Sequence, residues 1–364
     1  MQAIRGNKVV NRVRSAFNDL ALICNRSNTP RSYDGTTFGV LAGSPPTTGG
    51  PVAVHGNRAF MLEATNQRLL SWCALNNAEN WTAASNAGSV TVTGPQGSPL
   101  VALLPMTNEL LLLHRDHITR LQGTSPSTYA LTNAVPARVS IGTISPQGAV
   151  FGNNDAWWIS QRGIHSLRTM QDFGDLQEGF PSEPIDDYFT LNTDYTVSLN
   201  RLNLSVSAYD QQNNRLYFAV DTDNNQQNDT IFVLDVFQHL RGGGGWSVWG
   251  GMSCASLWTA NNGTNGTEVW MGGYDGFVRR LNVSASTNTI AGEFRHITDF
   301  DDPGWEKCPR HMYVYCSEEG NQNLSVVTAF DFGATGGATT NVSMLGASRT
   351  LGVNWTLGTD ALGA

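Results

Sequence analysis

The chain has 364 residues, of which 40% are hydrophobic and only 14% charged, and its formal net charge is -8. This composition predicts a folded chain with a large core, and the acidic balance argues against a protein that holds nucleic acid through phosphate contacts. The densest apolar run covers only residues 110–113. A membrane-spanning helix needs about 18 apolar residues, so we expect no membrane insertion.

The cysteines and the N-terminus indicate a protein made in a reducing cytoplasm. The first residues contain no apolar segment followed by a small-residue cleavage site, so no secretion signal is expected. The five cysteines are Cys24, Cys73, Cys254, Cys308 and Cys316. Because they are scattered and form no CxxC pair, they predict buried thiols rather than a disulfide framework or a zinc site, and no cofactor is expected.

A hairpin pattern recurs six times, and no long helical pattern is present. Each copy has a polar turn, a short apolar run, a second turn and another apolar run. The paired runs are 20–24 with 37–40, 59–62 with 69–72, 110–113 with 118–121, 156–160 with 164–167, 216–220 with 231–234, and 268–271 with 277–281. Asn, Asp and Gly are frequent at the turns because they adopt the positive φ of tight hairpin loops.

The spacing of these hairpins predicts the architecture. Their first turns lie roughly 40 to 60 residues apart, which is the size of a four-stranded propeller blade. A single blade cannot bury both faces, so consecutive blades must pack together. We therefore predict an all-β fold, a β-propeller of about six four-stranded blades over residues 1–282. A β-sandwich or a split β-domain is the alternative.

The pattern changes after residue 282. Strand-like runs at 291–298 and 311–316 precede a further strand at 324–330, with which the second run is expected to form a hairpin. Residues 283–332 are predicted either to complete the propeller or to form an appended sheet. Residues 333–364 are rich in Gly, Ala and Thr and are predicted to be a C-terminal arm or an extended strand that gains order from its neighbours.

Three short patterns are similar to known sites and are interpreted as turns. Residues 114–117 contain the His-Arg-Asp triplet of a kinase catalytic loop, but its downstream residues and the Gly-rich loop are missing, which favours a charged hairpin tip. Residues 242–245 are four glycines without the Lys of a phosphate-binding loop, which favours an inter-strand loop. Residues 32–38 are similar to the Asp-box turn of sialidases, one residue short of its spacing.

Residues 221–229 are similar to a calcium-binding loop. Oxygen-bearing side chains occupy positions 1, 3, 5 and 9 of that loop, beginning at Asp221 and ending at Asp229. However, Gln226 stands where the loop needs Gly, and Phe232 stands where it needs a bidentate Glu. The segment is interpreted as a solvated turn, with weak cation binding as the alternative.

A glycoside hydrolase would need two carboxylates about 5–10 Å apart. The candidates are Asp172, Asp175, Glu178, Glu183, Asp186, Asp187, Asp299, Asp301 and Asp302. Nothing in the sequence brings two of them together, and no Gly-x-Ser-x-Gly nucleophile motif is present. We therefore assign no catalytic, cofactor-binding or metal-binding residue and expect no enzymatic activity.

Three segments, taken in their order along the chain, carry a family resemblance. Residues 56–82 contain a G-x-R-h-F strand (h is a hydrophobic residue), a Leu69-Leu70-Ser71 strand similar to h-x-h-S, and an Asn-Trp turn, and residues 97–123 resemble the next blade. Residues 145–167 are similar to a blade with an h-x-R-x-G-h pattern, through Arg162-Gly163-Ile164, and residues 181–185 contain S-x-P-I. Weaker similarity covers residues 274–278 and 307–332. This order resembles tail and neck β-propeller proteins of tailed bacteriophages, including the tail-nozzle type.

The resemblance implies a virion structural protein of the tail or neck, made in the host cytoplasm. It implies an axial homo-oligomeric ring, partners such as adaptor, nozzle or fibre proteins, and transient passage of DNA without specific binding. Trp246, Trp249 and Trp305 are predicted to pack in the core between blades, and exposed interface anchors are the alternative. Two other functions stay open: a peripheral fibre-attachment or receptor-binding propeller, and a glycan-cleaving propeller enzyme.

Overall fold

The computed structural model describes residues 13–17, 20–93, 97–134, 141–168, 181–190, 196–242, 245–261, 266–281, 323–330 and 335–343. Over these ranges the fold is all-β, as predicted, and consists of small antiparallel sheets. In each sheet every strand pairs with the strand that follows it in the sequence. The chain divides into two compact units, residues 1–292 and residues 293–364.

The first three sheets have four strands each. The first sheet contains β1 (Val13–Phe17), β2 (Leu20–Cys24), β3 (Arg31–Tyr33) and β4 (Phe38–Val40). The second contains β5 (Gly49–His55), β6 (Arg58–Glu63), β7 (Leu69–Trp72) and β8 (Gly88–Thr91). The third contains β9 (Leu100–Pro105), β10 (Glu109–His114), β11 (Ile118–Gln122) and β12 (Ala130–Asn133).

The next three sheets continue the series with three, four and three strands. The fourth contains β13 (Ala149–Gly152), β14 (Asp155–Ser160) and β15 (Gly163–Ser166). The fifth contains β16 (Val206–Asp210), β17 (Arg215–Val220), β18 (Thr230–Asp235) and β19 (Trp246–Trp249). The sixth contains β20 (Ser256–Asn261), β21 (Thr267–Gly272) and β22 (Val278–Arg280). Five of the six predicted hairpins are confirmed. The first was wrong in its pairing, because residues 31–33 themselves form a strand: β2 pairs with β3, and β3 pairs with β4.

Consecutive sheets pack face to face through apolar layers. In the described part of the chain five such layers join the six sheets in order, and the first strand of each sheet contacts the first strand of the next. Adjacent residues on a strand point to opposite faces. Phe60 accordingly packs toward the third sheet and Met61 toward the first. The second strand of each inner sheet is therefore buried on both sides.

The turns follow the residue types that the sequence places there. An asparagine stands in the turn before each of β6, β14 and β17. The three residues, Asn57, Asn154 and Asn214, have positive φ angles between 52° and 61°. Asparagine adopts this left-handed region more readily than most residues do. These side chains therefore fix where three of the hairpins reverse.

Helices are short. The α-helix α1 (Val236–Leu240) follows β18, and 3₁₀ helices cover Ala83–Ser85, Glu183–Tyr188 and Leu199–Leu204. The Asp235 side chain accepts a hydrogen bond from the backbone N–H of Gln238 at 3.1 Å, which caps α1. Among the described residues, no helix has both the length and the apolar character needed to span a bilayer.

The second unit contains one described hairpin. β23 (Asn323–Phe330) pairs antiparallel with β24 (Thr335–Ser343). The boundary expected between residues 332 and 333 lies between these two strands. The strands predicted at 291–298 and 311–316 lie outside the described residues.

Candidate functional site

The first resemblance segment supplies structural contacts of the second sheet. Arg58 is only 3% exposed, and its Nη1 donates hydrogen bonds to the backbone oxygens of Cys73 (2.7 Å) and Asn86 (2.9 Å). The buried Trp81 ring donates from Nε1 to Ala78 O at 2.8 Å. Arg58 therefore ties β6 to the segment that follows β7, and both Arg58 and Trp81 serve the packing of this sheet.

The third segment is interlocked in the same way. Gly163 has a φ of +122°, and a Cβ at this position would overlap the side-chain oxygen of Ser182. That oxygen accepts the backbone N–H of Ile164 at 3.0 Å. Ser182 and Ile185 are both buried. The Arg162-Gly163-Ile164 segment and the S-x-P-I pattern thus meet in one packing contact at the fourth sheet.

Among the residues that the structure describes, one cluster of possible metal ligands lies in the loop between β17 and β18. One carboxylate oxygen from each of Asp221, Asp223 and Asp229 lies within 4.8 Å of the others. Desolvation and the neighbouring charges of Asp229 and Asp221 raise the pKa of Asp223. Three carboxylates this close favour either a bound hard cation or a shared proton.

The same carboxylates are already used to shape the loop. Asp221 accepts the backbone N–H groups of Asn224 (2.6 Å) and Gln226 (2.8 Å), and Asp229 accepts the Thr222 hydroxyl at 2.6 Å. Gln226 adopts the positive φ, +70°, that a calcium loop assigns to Gly. Phe232 is fully buried in β18, where it cannot stand in for the twelfth-position Glu. The geometry agrees with the interpretation of this segment as a turn.

The turn between β10 and β11 was predicted to be a charged tip, and that prediction is wrong for its histidines. His114 and His117 are buried, and their rings stack with centroids 3.7 Å apart. His114 Nδ1 lies 3.0 Å from Ser98 O, and His117 Nδ1 lies 2.6 Å from Asp116 Oδ1. Burial lowers the pKa of His114 to about 4, so its ring is neutral at pH 7. The pair is a buried polar contact of the fold.

A second buried polar group lies on the fourth sheet and was missed at the sequence level. Ser160 Oγ lies 2.7 Å from His165 Nε2, and burial lowers the pKa of that histidine to about 3. On the same sheet Asp155 accepts the Ser166 hydroxyl and the backbone N–H of Ala156. Ser160 is buried, so no substrate reaches this serine-histidine pair.

The remaining sequence candidates are dispersed. Glu183, Asp186 and Asp187 are exposed on one short 3₁₀ helix. The other six candidate carboxylates, Asp172, Asp175, Glu178, Asp299, Asp301 and Asp302, lie outside the described residues. Gly242 and Gly245 have positive φ beyond the end of α1, and residues 32–38 form the β3–β4 hairpin.

Two of the tryptophans considered as interface anchors are packed in the core layers, as predicted. Trp246 Nε1 donates to Pro181 O at 2.6 Å, and its ring packs on the layer between the fourth and fifth sheets. Trp249 meets Tyr217 edge to face, with ring centroids 5.7 Å apart. Both tryptophans therefore pack in the core rather than forming exposed anchors. Trp305 lies outside the described residues.

A shallow groove of about 310 Å³ runs across the first strands of the fourth, fifth and sixth sheets. Its walls include Phe151, Tyr209 and Trp258. Two hydroxyl groups in the groove already donate to protein oxygens, Ser207 to Gln147 O (2.9 Å) and Thr259 to Tyr209 O (3.0 Å). The groove thus offers mixed polar and apolar surface, and two of its hydroxyl groups are already committed.

No protein-family model and no curated protein matches this chain. The computationally designed Ika8 protein matches at 10% identity with a TM-score of 0.43, over 74% of this chain and 70% of that one. A chain in the structure of the Mitotic Checkpoint Complex matches at 10% identity with a TM-score of 0.44, over 77% and 81%. PorZ, from the type-IX secretion system of Porphyromonas gingivalis, matches at 10% identity with a TM-score of 0.36, over 73% of this chain and 31% of PorZ. Structural similarities with 10% sequence identity and TM-scores of 0.36 to 0.44 do not distinguish between functions.

Proposed function

We propose that the chain is a non-enzymatic structural protein of a tailed-phage virion, an axial ring component of the tail or neck. The observation that carries this proposal is the order of the resemblance segments. Residues 56–82 fall on the second sheet, residues 97–123 on the third, and residues 145–185 on the fourth and the 3₁₀ helix after it. Each resemblance segment therefore coincides with one sheet of the fold. This agreement supports a shared architecture with the tail and neck propeller proteins that the segments resemble.

The finer architecture that we propose is a β-propeller with the six sheets as its blades. The contacts between the first strands of successive sheets support a radial arrangement, because in a propeller these strands surround a common axis. Residues 283–332 either complete this propeller or form an appended sheet, and residues 333–364 form the C-terminal arm.

A structural role also agrees with the chemistry of the described residues. Among the described residues, His114, His165 and Ser160 are buried in the sheets, and Asp221 and Asp229 hold a turn in place. Glu183, Asp186 and Asp187 are exposed on one 3₁₀ helix. With 22 basic against 30 acidic residues, a ring of such chains offers few phosphate contacts that would hold DNA during its passage. Adaptor, nozzle or fibre proteins are the proposed neighbours.

The test is quantitative mass spectrometry of purified virions of the phage that encodes the chain. The expected result is a fixed number of copies per particle, in a multiple of three or six. Absence from the particles would refute the proposal. Hydrolysis of a host envelope polysaccharide by the purified chain, lost on Asp186→Asn but kept on Asp223→Asn, would favour the glycan-cleaving enzyme instead.

A further inference from the structure

The third and fourth sheets carry the same kind of hydrogen bond beside the turn between their second and third strands. In the third sheet the Thr119 hydroxyl lies 3.2 Å from His114 Nε2. In the fourth sheet the Ser160 hydroxyl lies 2.7 Å from His165 Nε2. The two pairs occupy equivalent positions of the hairpin register, with histidine and hydroxyl exchanged, and all four side chains are buried. A buried bond between histidine and a hydroxyl is thus a repeated feature of two neighbouring sheets.

The partners at the β10–β11 turn fix which ring nitrogens carry protons. Ser98 O can only accept, so His114 Nδ1 (3.0 Å) carries a proton and His114 Nε2 accepts from Thr119. The Asp116 carboxylate accepts from His117 Nδ1 at 2.6 Å in the same way. His117 Nε2 is buried, and no described group lies within hydrogen-bonding distance of it. A further proton on either ring would therefore displace the Thr119 hydroxyl proton or leave a buried N–H without an acceptor.

The bond at the β14–β15 turn has the same direction. The backbone N–H of Arg162 donates to Ser160 Oγ at 2.9 Å, so the hydroxyl proton is donated to His165 Nε2. Burial favours the neutral form of both histidines, and the charge of Arg162 adds to this effect at His165. Among the described residues, the charged or titratable groups that act on the two rings are Arg162 beside His165, and Asp116 and His117 beside His114. Of these only the Asp116 carboxylate favours a charged ring, and burial outweighs it.

Thr143 joins the two turns. Its backbone N–H donates to His114 O at 2.9 Å, and its hydroxyl donates at 2.8 Å to Ile159 O, next to Ser160. Thr143 is 1% exposed, and a Cβ at the preceding Gly142 would lie 2.1 Å from His114 O, so this segment lies directly against the β10–β11 turn. A displacement of either turn would therefore break a hydrogen bond of Thr143 and act on the other turn.

We propose that the two turns and Thr143 form an acid-sensitive switch, in which protonation of His114 and His165 opens both turns together while the other sheets stay folded. At pH 7 the neutral rings hold the turns closed, because each accepts one hydroxyl proton in a buried site. In acid, a proton from solvent takes the place of that accepted bond, and the charged ring reaches water only when its turn opens. The switch does not depend on a role in a virion.

The experiment is hydrogen exchange of the full chain at pH 7 and pH 5, followed by mass spectrometry and corrected for the intrinsic effect of pH on exchange. The folded pKa is about 4 for His114 and about 3 for His165, and the unfolded value is near 6.5. Opening should therefore become about 20-fold more frequent for each histidine between pH 7 and pH 5. Because the turns open together, residues 113–119, 141–145 and 159–165 are expected to lose protection by about 400-fold.

The dependence of exchange on urea separates this local opening from unfolding of the whole chain. At pH 5 the amides of the two turns are expected to exchange faster than those of β17 and β18, which contain no histidine. Their exchange is also expected to depend little on urea, because a local opening exposes little surface. A return to pH 7 is expected to restore the protection.

Four variants test the assignment. In His114→Gln one titrating ring is gone, so a loss of about 20-fold is expected in both turns. Thr143→Val keeps both histidines but lacks the hydroxyl bond to Ile159 O, so each turn is expected to respond only to its own histidine, again by about 20-fold. In the double variant only the β14–β15 turn is expected to respond. His55→Gln is the matched control, because His55 lies on β5 of the second sheet, and it is expected to keep the full loss.

Three results would overturn the inference. The first is equal protection of the turn amides at pH 7 and pH 5. The second is exchange of the turns at the same rate and with the same urea dependence as β17 and β18, which would mean that acid unfolds the whole chain. The third is a Thr143→Val variant whose turns respond like those of the wild type, and this test stands even where His114→Gln does not fold.

Discussion

Replacing Arg58 by methionine should destabilise the second sheet strongly. Methionine keeps an apolar stem in the buried space but removes the guanidinium that binds Cys73 O and Asn86 O. Asn86 O also accepts from Trp72 Nε1 at 3.3 Å, so it keeps a partner, whereas Cys73 O loses a charge-assisted bond. Leaving a buried acceptor unsatisfied costs about 1–3 kcal/mol, and losing a second bond to a charged group adds a comparable amount. The expected loss in free energy of unfolding is about 3 kcal/mol.

Urea unfolding followed by tryptophan fluorescence measures this loss. Arg68→Met is the matched control, since it makes the same chemical change at an exposed position ten residues away and should stay within about 0.5 kcal/mol of the wild type. Arg58→Lys should fall between the two, because an ammonium group lacks the planar fork of the guanidinium. If Arg58→Met and Arg68→Met unfold at the same urea concentration, the role assigned to this motif arginine is wrong.

Three further predictions concern the other buried groups. Burial holds the folded pKa of His114 at about 4 and that of His165 at about 3, whereas histidines in the unfolded chain become protonated near pH 6.5. The free energy of unfolding should therefore be greatest above pH 6.5 and fall toward pH 4. The loss should be on the order of 3 kcal/mol for each histidine. A urea midpoint that is constant from pH 6.5 to pH 4 would contradict this, and His165→Gln should show a weaker dependence. Gly163→Ala should cost about 2 kcal/mol or more in the same unfolding assay, since its φ and the Ser182 oxygen both oppose a Cβ. The control Gly39→Ala, which meets nothing within 4 Å, should be nearly neutral, and equal losses would refute the packing argument. Burial raises the pKa of Cys254 to about 12. Peptide mapping after treatment with iodoacetamide at pH 8 should therefore find this thiol unmodified in the folded chain and modified in the chain unfolded by guanidinium. Labelling of Cys254 in the folded chain would count against its burial.

The hairpins were predictable because their determinants are local. A turn Asn with positive φ and the apolar runs on either side of it lie within a few residues of one another, as at Asn57 and Asn214. Helix α1 also has a local signal, since Asp235 and Gln238 have the spacing of a helix cap. It was missed because five residues are too few to show helical periodicity.

Whether a prediction about a site succeeded depended on how far apart its residues lie along the chain. The acidic loop could be identified because its three carboxylates lie within nine residues. The histidines at the β10–β11 turn were misjudged, because their sequence neighbours are charged and their burial comes from Ser98 and the sheet around them. Packing of Trp246 against Pro181 likewise joins residues 65 positions apart, and such a contact leaves no mark in the local pattern.

The strictly sequential pairing of strands also bears on how the chain acquires its structure. Each sheet comes from one continuous stretch, such as residues 206–249 for the fifth, so its strands meet by closing short loops, at little cost in chain entropy. Contact order within a sheet is consequently low for an all-β protein, and rapid formation of each sheet is favoured. During synthesis the sheets emerge one after another, and each completed sheet becomes the surface on which the next one condenses. Growth of the core thus proceeds in one direction, from the N-terminus onward, in steps of a single sheet.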